Sequence, residues 1–147
     1  ASIDAMSGPV GNMGTDTYRG EQIAVDEINA AGGIRSMGGA RLELVPYDME
    51  GKAQVGTLRA ERAISEGAIA LLGSIPSSVG MATTTVAERA KIPHLVTGAA
   101  AVELTRRGYK YTFRGTVTSE QSAATFVPRL RSLFSAAGRK LTSVVVV

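Results

Sequence analysis

The 147-residue chain reads as a doubly wound α/β domain built on a parallel sheet. Three observations predict this. Short apolar runs alternate with helical stretches of about ten to fifteen residues, the pattern of βαβ units with right-handed crossovers. A composition of 44% hydrophobic and 20% charged residues is that of a chain able to bury one ordinary core. Glycines punctuate the seams: Gly32-Gly33 and Gly67 stop helical stretches, and Gly73 ends an apolar run.

The elements follow in order. After a turn-rich opening, "SGPVGNMGTD", the segment Tyr18 to Ala31 places Gly20, Ile23, Ala24, Ile28 and Ala31 on one helical face. "RLELVPYD" alternates like a strand with Pro46 near its end, and "GKAQVGTLRAERAISEG" sets Val55, Leu58 and Arg62 or Ala63 along a helical stripe. "AIALLG" is a short apolar strand. From Ser77 or Ser78 to Lys91 the residues Val79, Ala82, Val86, Ala87 and Ala90 recur at helical spacing, and "IPHLVT" is the next strand. "GAAAVELTRRG" reads as a loop with one helical turn, and "YKYTFRG" as an alternating strand. "SEQSAATFVPRLRSLFSAAG" reads as a helix capped by Ser119 or Thr118, with Phe126, Leu130, Leu133 and Phe134 on one face and Pro128 inside it, where a backbone bond is lost. "LTSVVVV" is a final strand, with no internal repeat anywhere.

Charge and composition exclude several functions. The formal charge of +3 arises after residue 117, where four basic residues face one acidic residue; residues 1 to 117 hold twelve of each sign. Arg129, Arg131, Arg139 and Lys140 read as the solvated face of one helix, so the body of the chain has no footprint for nucleic acid. The absence of cysteine removes disulfides, thiolate metal sites and a cysteine nucleophile. No run approaches the ~18 apolar residues of a membrane span, and "ASIDAMSGP" is not a signal peptide.

In an open parallel sheet, ligands sit beyond the carboxyl ends of the strands. This selects the loops Ala5 to Gly14, Asp48 to Lys52, Gly73 to Ser78 and Gly98 to Val102. "GSIPSSVG", residues 73 to 80, is the richest of them in hydroxyls. A nucleophile elbow needs a glycine where Pro76 stands, and the single histidine, His94, lies within an apolar strand as a packed, hydrogen-bonded core residue. "GPVGNMG" lacks the lysine of a phosphate loop. Asp48 and Glu50 could ligate a divalent cation, and more simply mark a helix entry. Serines at a helix N-terminus, with first-turn N–H groups and the positive end of the helix dipole, make an anion site without a basic residue. Ser77 and Ser78 therefore either receive a carboxylate or cap their own helix. The small side chains of "GAAA", Gly98 to Ala101, let backbone groups approach the same spot.

The stretches "AMSGPVGNMG", "AVDEINAAGGI", "GGARLELVPYD", "LLGSIPSS" and "AERAKIPHLVTGAAAVELTRRGYKYTFR" run in an order and spacing that resembles the type I periplasmic binding proteins of branched-chain amino-acid ABC transporters. The resemblance implies two lobes closing on a ligand, residues 1–117 being most of lobe 1 and residues 118–147 the first helix and strand of lobe 2. It implies that the Ser77 hydroxyl and the N–H groups of Ser77 and Ser78 grip a ligand carboxylate. It implies a second grip from the Ala99 carbonyl and the Ala101 backbone, with Ala100 between them. The family usually has a threonine where Ala101 is placed, and an aromatic residue where Met13 stands. These departures bring acids without an ammonium group, aromatic or aliphatic, into competition with amino acids. The implied protein is a non-catalytic receptor without cofactor or metal. It would be periplasmic or extracellular and membrane-tethered, presenting a small-molecule carboxylate to a membrane permease. The alternatives are a ligand-sensing regulatory domain of the same fold and a Rossmann-type enzyme. A bare edge at Val144 to Val147 would favour a homodimer through the incomplete second lobe.

Overall fold

The computed structural model describes residues 1–140, 142 and 143. The chain divides into two compact units, Ala1–Thr116 and Val117–Val147. The first unit is a five-stranded parallel sheet of β1 (Ser2–Asp4), β2 (Pro46–Asp48), β3 (Leu71–Gly73), β4 (His94–Val96) and β5 (Thr112–Arg114). Its helices are α1 (Gly11–Ala30), α2 (Ala53–Ser65) and α3 (Ser77–Ala90), with single 3-10 turns at Arg35–Met37 and Val102–Thr105. Strand order is β2-β1-β3-β4-β5. The chain leaves β1 toward one edge and then returns to build outward on its other side. The reversal lies between β1 and β3, where an open α/β sheet offers its ligand crevice.

Burial explains the strands. Ser2, Ile3, Asp4, Leu71, Gly73, His94 and Val96 are buried, whereas Leu95 on β4 and Phe113 on β5 are exposed, so the sheet is covered most fully at β1 and β3. One core cluster joins Ile3, Met49, Ala60, Ala63, Leu71, Val79, Val86 and Ala87, so that α2 and α3 pack together over the sheet. A smaller cluster of Val96, Ala99 and Leu104, with Met81 and Ala101 against it, roots the GAAA loop in the interior.

Several sequence expectations are corrected. The strand expected over "RLELVPYD" is paired only from Pro46, because the register with β1 begins at Ser2↔Pro46. Pro46 thus opens the strand. Helix α1 starts at Gly11, seven residues before Tyr18, and buries Gly11, Gly14, Glu21 and Val25 in place of the expected Gly20–Ile23–Ile28 stripe. Ile23 is 59% exposed. The physical reason is glycine: a Cβ at Gly14 would lie 2.0 Å from the Ala5 carbonyl oxygen, so the helix rests on the backbone of the loop after β1 and its face is set there. In α2 the buried residues are Gly56, Ala60 and Ala63, while Leu58 points outward at 64% exposure. The close α2–α3 contact at Gly56, where a Cβ would meet Val79 at 2.5 Å, selects the small residues.

In the second unit, α4 (Ser119–Ala136) is capped by Thr118, whose hydroxyl accepts from the Gln121 N–H while the Gln121 side chain accepts from the Thr118 N–H. The helix runs through Pro128 and buries none of its residues. The expected strand Val144 to Val147, and the dimer edge with it, lies outside the described residues. Among the described residues no helix is long and apolar enough to cross a membrane.

Candidate functional site

Four strand-end loops converge at the reversal point. The loop after β1 is held by Asp48, whose Oδ1 accepts from the N–H groups of Met6 (3.0 Å) and Glu50 (2.9 Å). Burial works against the Asp48 carboxylate, yet hydrogen bonds from Ser7, Glu50 and Met6 together hold its pKa below the usual range. Asp48 is therefore a brace between two loops and not a helix-entry residue; no group of three or more acidic or histidine side chains that could hold a metal occurs among the described residues. Helix α2 begins instead after Lys52.

The loop after β3 is shaped by close approach. Gly73 has φ +109, and a Cβ there would lie 2.3 Å from the Ile3 carbonyl oxygen, so the chain turns against β1 at a position open only to glycine. Ser74 is buried, its hydroxyl 3.2 Å from that of Thr83 on α3. Pro76 is the N-cap residue of α3 and supplies no side-chain cap. Ser77 and Ser78 occupy the first two helical positions. The capping alternative thus falls away: neither hydroxyl caps the helix, and Ser77 Oγ instead accepts from the Ala101 N–H at 3.3 Å. The bonds that open the helix run from the N–H groups of Val79 and Gly80 to the Pro76 carbonyl, leaving those of Ser77 and Ser78 as first-turn donors.

The structure brings Ser77 and Ala101 into contact and places Ala99 and Ala100 in the same loop, with Ala99 buried and Ala100 half-buried. Met13 stands in the first turn of α1, 56% exposed. Sequence reasoning missed Arg114 at the end of β5. Its Nη1 donates to the Ala99 carbonyl at 2.6 Å, and its Nη2 donates to the Ala101 carbonyl. The signal available was position: Arg114 ends the last strand of the sheet, on the same edge as the loops.

A second missed feature lies beneath these loops. Asp4, at the end of β1, is fully buried and bonded to the Ser2 hydroxyl at 2.9 Å. Glu21, on α1, accepts from Thr97 at 3.1 Å, immediately before the GAAA loop. Burial, together with the neighbouring Glu21 charge, raises the Asp4 pKa to about 7. Burial also raises that of Glu21, against hydrogen bonds from Ser2 and Thr97. His94 is packed as expected; its ring nitrogens lie near the backbone of Gly73 and Thr83, but neither makes a well-formed hydrogen bond among the described residues. Burial pushes its pKa down to about 4, with the nearby backbone of Gly73 and Thr83 acting in the other direction. The ring is neutral at pH 7 and cannot serve an exposed nucleophile. An apolar cavity of about 520 Å³, lined by Leu42, Val45, Tyr47 and Ile69 among others, lies at the opposite end of the strands.

Comparison with known proteins points the same way as the geometry. Residues 1–146 match the family described as "Periplasmic binding protein". The chain is 38% identical over 130 residues to Leu/Ile/Val-binding protein homolog 8 of Brucella abortus, an alignment covering 88% of this chain and 31% of that protein. It superposes with a TM-score of 0.73 and 30% identity on LivJ of Streptococcus pneumoniae, a branched-chain amino acid transporter substrate binding protein solved with isoleucine; the match covers 80% of this chain and 33% of LivJ. The leucine binding protein LivK of Thermotoga maritima gives 0.77 and 27%, covering 90% of this chain and 36% of LivK. The chain thus spans about a third of the length of these relatives.

Proposed function

Because the chain belongs to the periplasmic binding protein family, a family of binding proteins and not of enzymes, we propose that it forms the carboxylate-gripping part of a solute receptor. The ligand is a small carboxylate, either a branched-chain amino acid or an aromatic or aliphatic acid. In the whole protein it is held between two lobes, residues 1–117 forming most of the first and residues 118–147 opening the second. The receptor works in the periplasm, or outside the cell tethered to the membrane, and hands its ligand to an ABC permease. No cofactor takes part.

One observation carries this reading. The Ser77 oxygen accepts from the Ala101 N–H, so its own hydrogen is free to donate elsewhere, beside the first-turn N–H groups of α3 and at the positive end of the helix dipole. A carboxylate placed there would receive several charge-assisted bonds at once, each worth roughly 1.5–3 kcal/mol. Ala99, Ala100 and Ala101 let the ligand approach the backbone, and Met13 supplies an apolar wall. The relatives solved or named as binding leucine or isoleucine support an amino-acid ligand.

Titration calorimetry of the intact protein with leucine, isoleucine, 4-methylpentanoate and benzoate tests it. At least one carboxylate binds, and Ser77→Ala weakens that binding about tenfold or more. Failure of every carboxylate to bind, or an unchanged affinity in Ser77→Ala, overturns the assignment.

A further inference from the structure

We propose that Arg114 is the positioning residue of this site, acting on the ligand through the GAAA loop and Ser77; the inference rests on the carboxylate reading above. Three observations support it. First, the two arms of one guanidinium bridge the carbonyls of Ala99 and Ala101. A planar fork with fixed donor spacing holds two acceptors in one geometry, which a lysine ammonium cannot do. The loop that it clasps has only methyl side chains between Gly98 and Val102; Ala99 packs into the interior, but no polar side chain of the loop's own orients its carbonyls.

Second, the clasped residue is the one that touches Ser77. The Ala101 N–H donates to Ser77 Oγ, so a chain of bonds runs from the end of β5, through both faces of one alanine, to the hydroxyl at the start of α3. Charge-assisted donation to a peptide carbonyl also draws electron density from the next N–H along the chain, here those of Ala100 and Val102, and makes them stronger donors. The same guanidinium therefore orients the Ser77 hydroxyl and polarises the loop amides.

Third, Arg114 is an inefficient way to stabilise the fold. Its Nε is buried with no hydrogen-bond partner among the described residues, and a buried unpaired donor offsets much of what the bridge contributes. A residue retained for stability alone would be expected to satisfy all of its donors.

The test is a double-mutant cycle in the intact protein, using Ser77→Ala, Arg114→Lys and their combination, with whichever ligand of the four-compound panel binds wild type. Arg114→Lys keeps the charge and the stem but loses the bridge. The expected result is that each single substitution weakens binding about tenfold, and that the double variant falls far short of the roughly hundredfold loss independent residues would give. A purely structural role would not produce that coupling. Losses that multiply, or an Arg114→Lys affinity within about twofold of wild type while Ser77→Ala is impaired, overturn the proposal and leave the carboxylate reading standing. A variant that melts lower yet binds with unchanged affinity below its transition overturns it equally. Wild type that binds none of the four removes both.

Discussion

Two glycines of α1 separate intrinsic propensity from packing. Gly14 and Gly20 sit in the same helix, and glycine costs a helix interior about 1 kcal/mol relative to alanine. Nothing lies within 4 Å of a Cβ built on Gly20, whereas one on Gly14 would stand 2.0 Å from the Ala5 carbonyl oxygen. Gly20→Ala is therefore expected to stabilise by up to about 1 kcal/mol. Gly14→Ala is expected to destabilise by about 2 kcal/mol or more, since displacing backbone outweighs the propensity gain. Thermal melts of the two variants check both signs. A lowered midpoint in Gly20→Ala, or a raised one in Gly14→Ala, contradicts the packing described here.

At the scale of elements, α4 carries a closed N-terminus and an interior break. The Thr118–Gln121 capping box satisfies two N-terminal donors, while Pro128 withholds a donor from the carbonyl of Ala124. Thr118→Ala is expected to cost about 1 kcal/mol, read as roughly fivefold faster hydrogen exchange at Ala123 to Thr125. Unchanged exchange there would show that the cap contributes nothing. The capped start of α4 was legible in "TSEQ", and so were the alternation of strands and helices and the four strand-end loops. The inward faces of α1 and α2 were not. Apolar periodicity pointed to Ile23 and Leu58, but close approach at Gly14 and Gly56 turns those helices so that small residues face inward. Ser77 could be singled out by its place before a helix, although its bond to Ala101 could not. Arg114 was hidden because a strand-end arginine looks like any other surface charge until the fold sets two carbonyls in front of it.

For the molecule as a whole, three buried titratable groups set opposing pH dependences. Asp4, with its pKa raised from 3.8 to about 7, keeps in the native state a proton that the unfolded chain has released. Its contribution to stability is thus present at low pH and declines as pH rises from about 4 to 7. Glu21, also raised, acts in the same direction. His94, lowered from 6.5 to about 4, does the reverse: the unfolded chain binds its proton first, so stability falls as pH drops from about 6.5 toward 4. One proton of difference changes stability by about 1.4 kcal/mol per pH unit. Between pH 4 and 6.5 the opposite slopes of Asp4 and His94 nearly cancel, leaving wild type to decline with pH in the direction set by Glu21. Asp4→Asn removes one side of the balance. Its stability should instead rise as pH increases across this window, where that of wild type declines, and at pH 8 it should exceed wild type. His94→Gln should decline with pH more steeply than wild type. Denaturant midpoints at pH 4.5, 5.5, 6.5 and 8 decide the matter: if all three proteins show parallel profiles, the buried groups do not titrate as their burial requires.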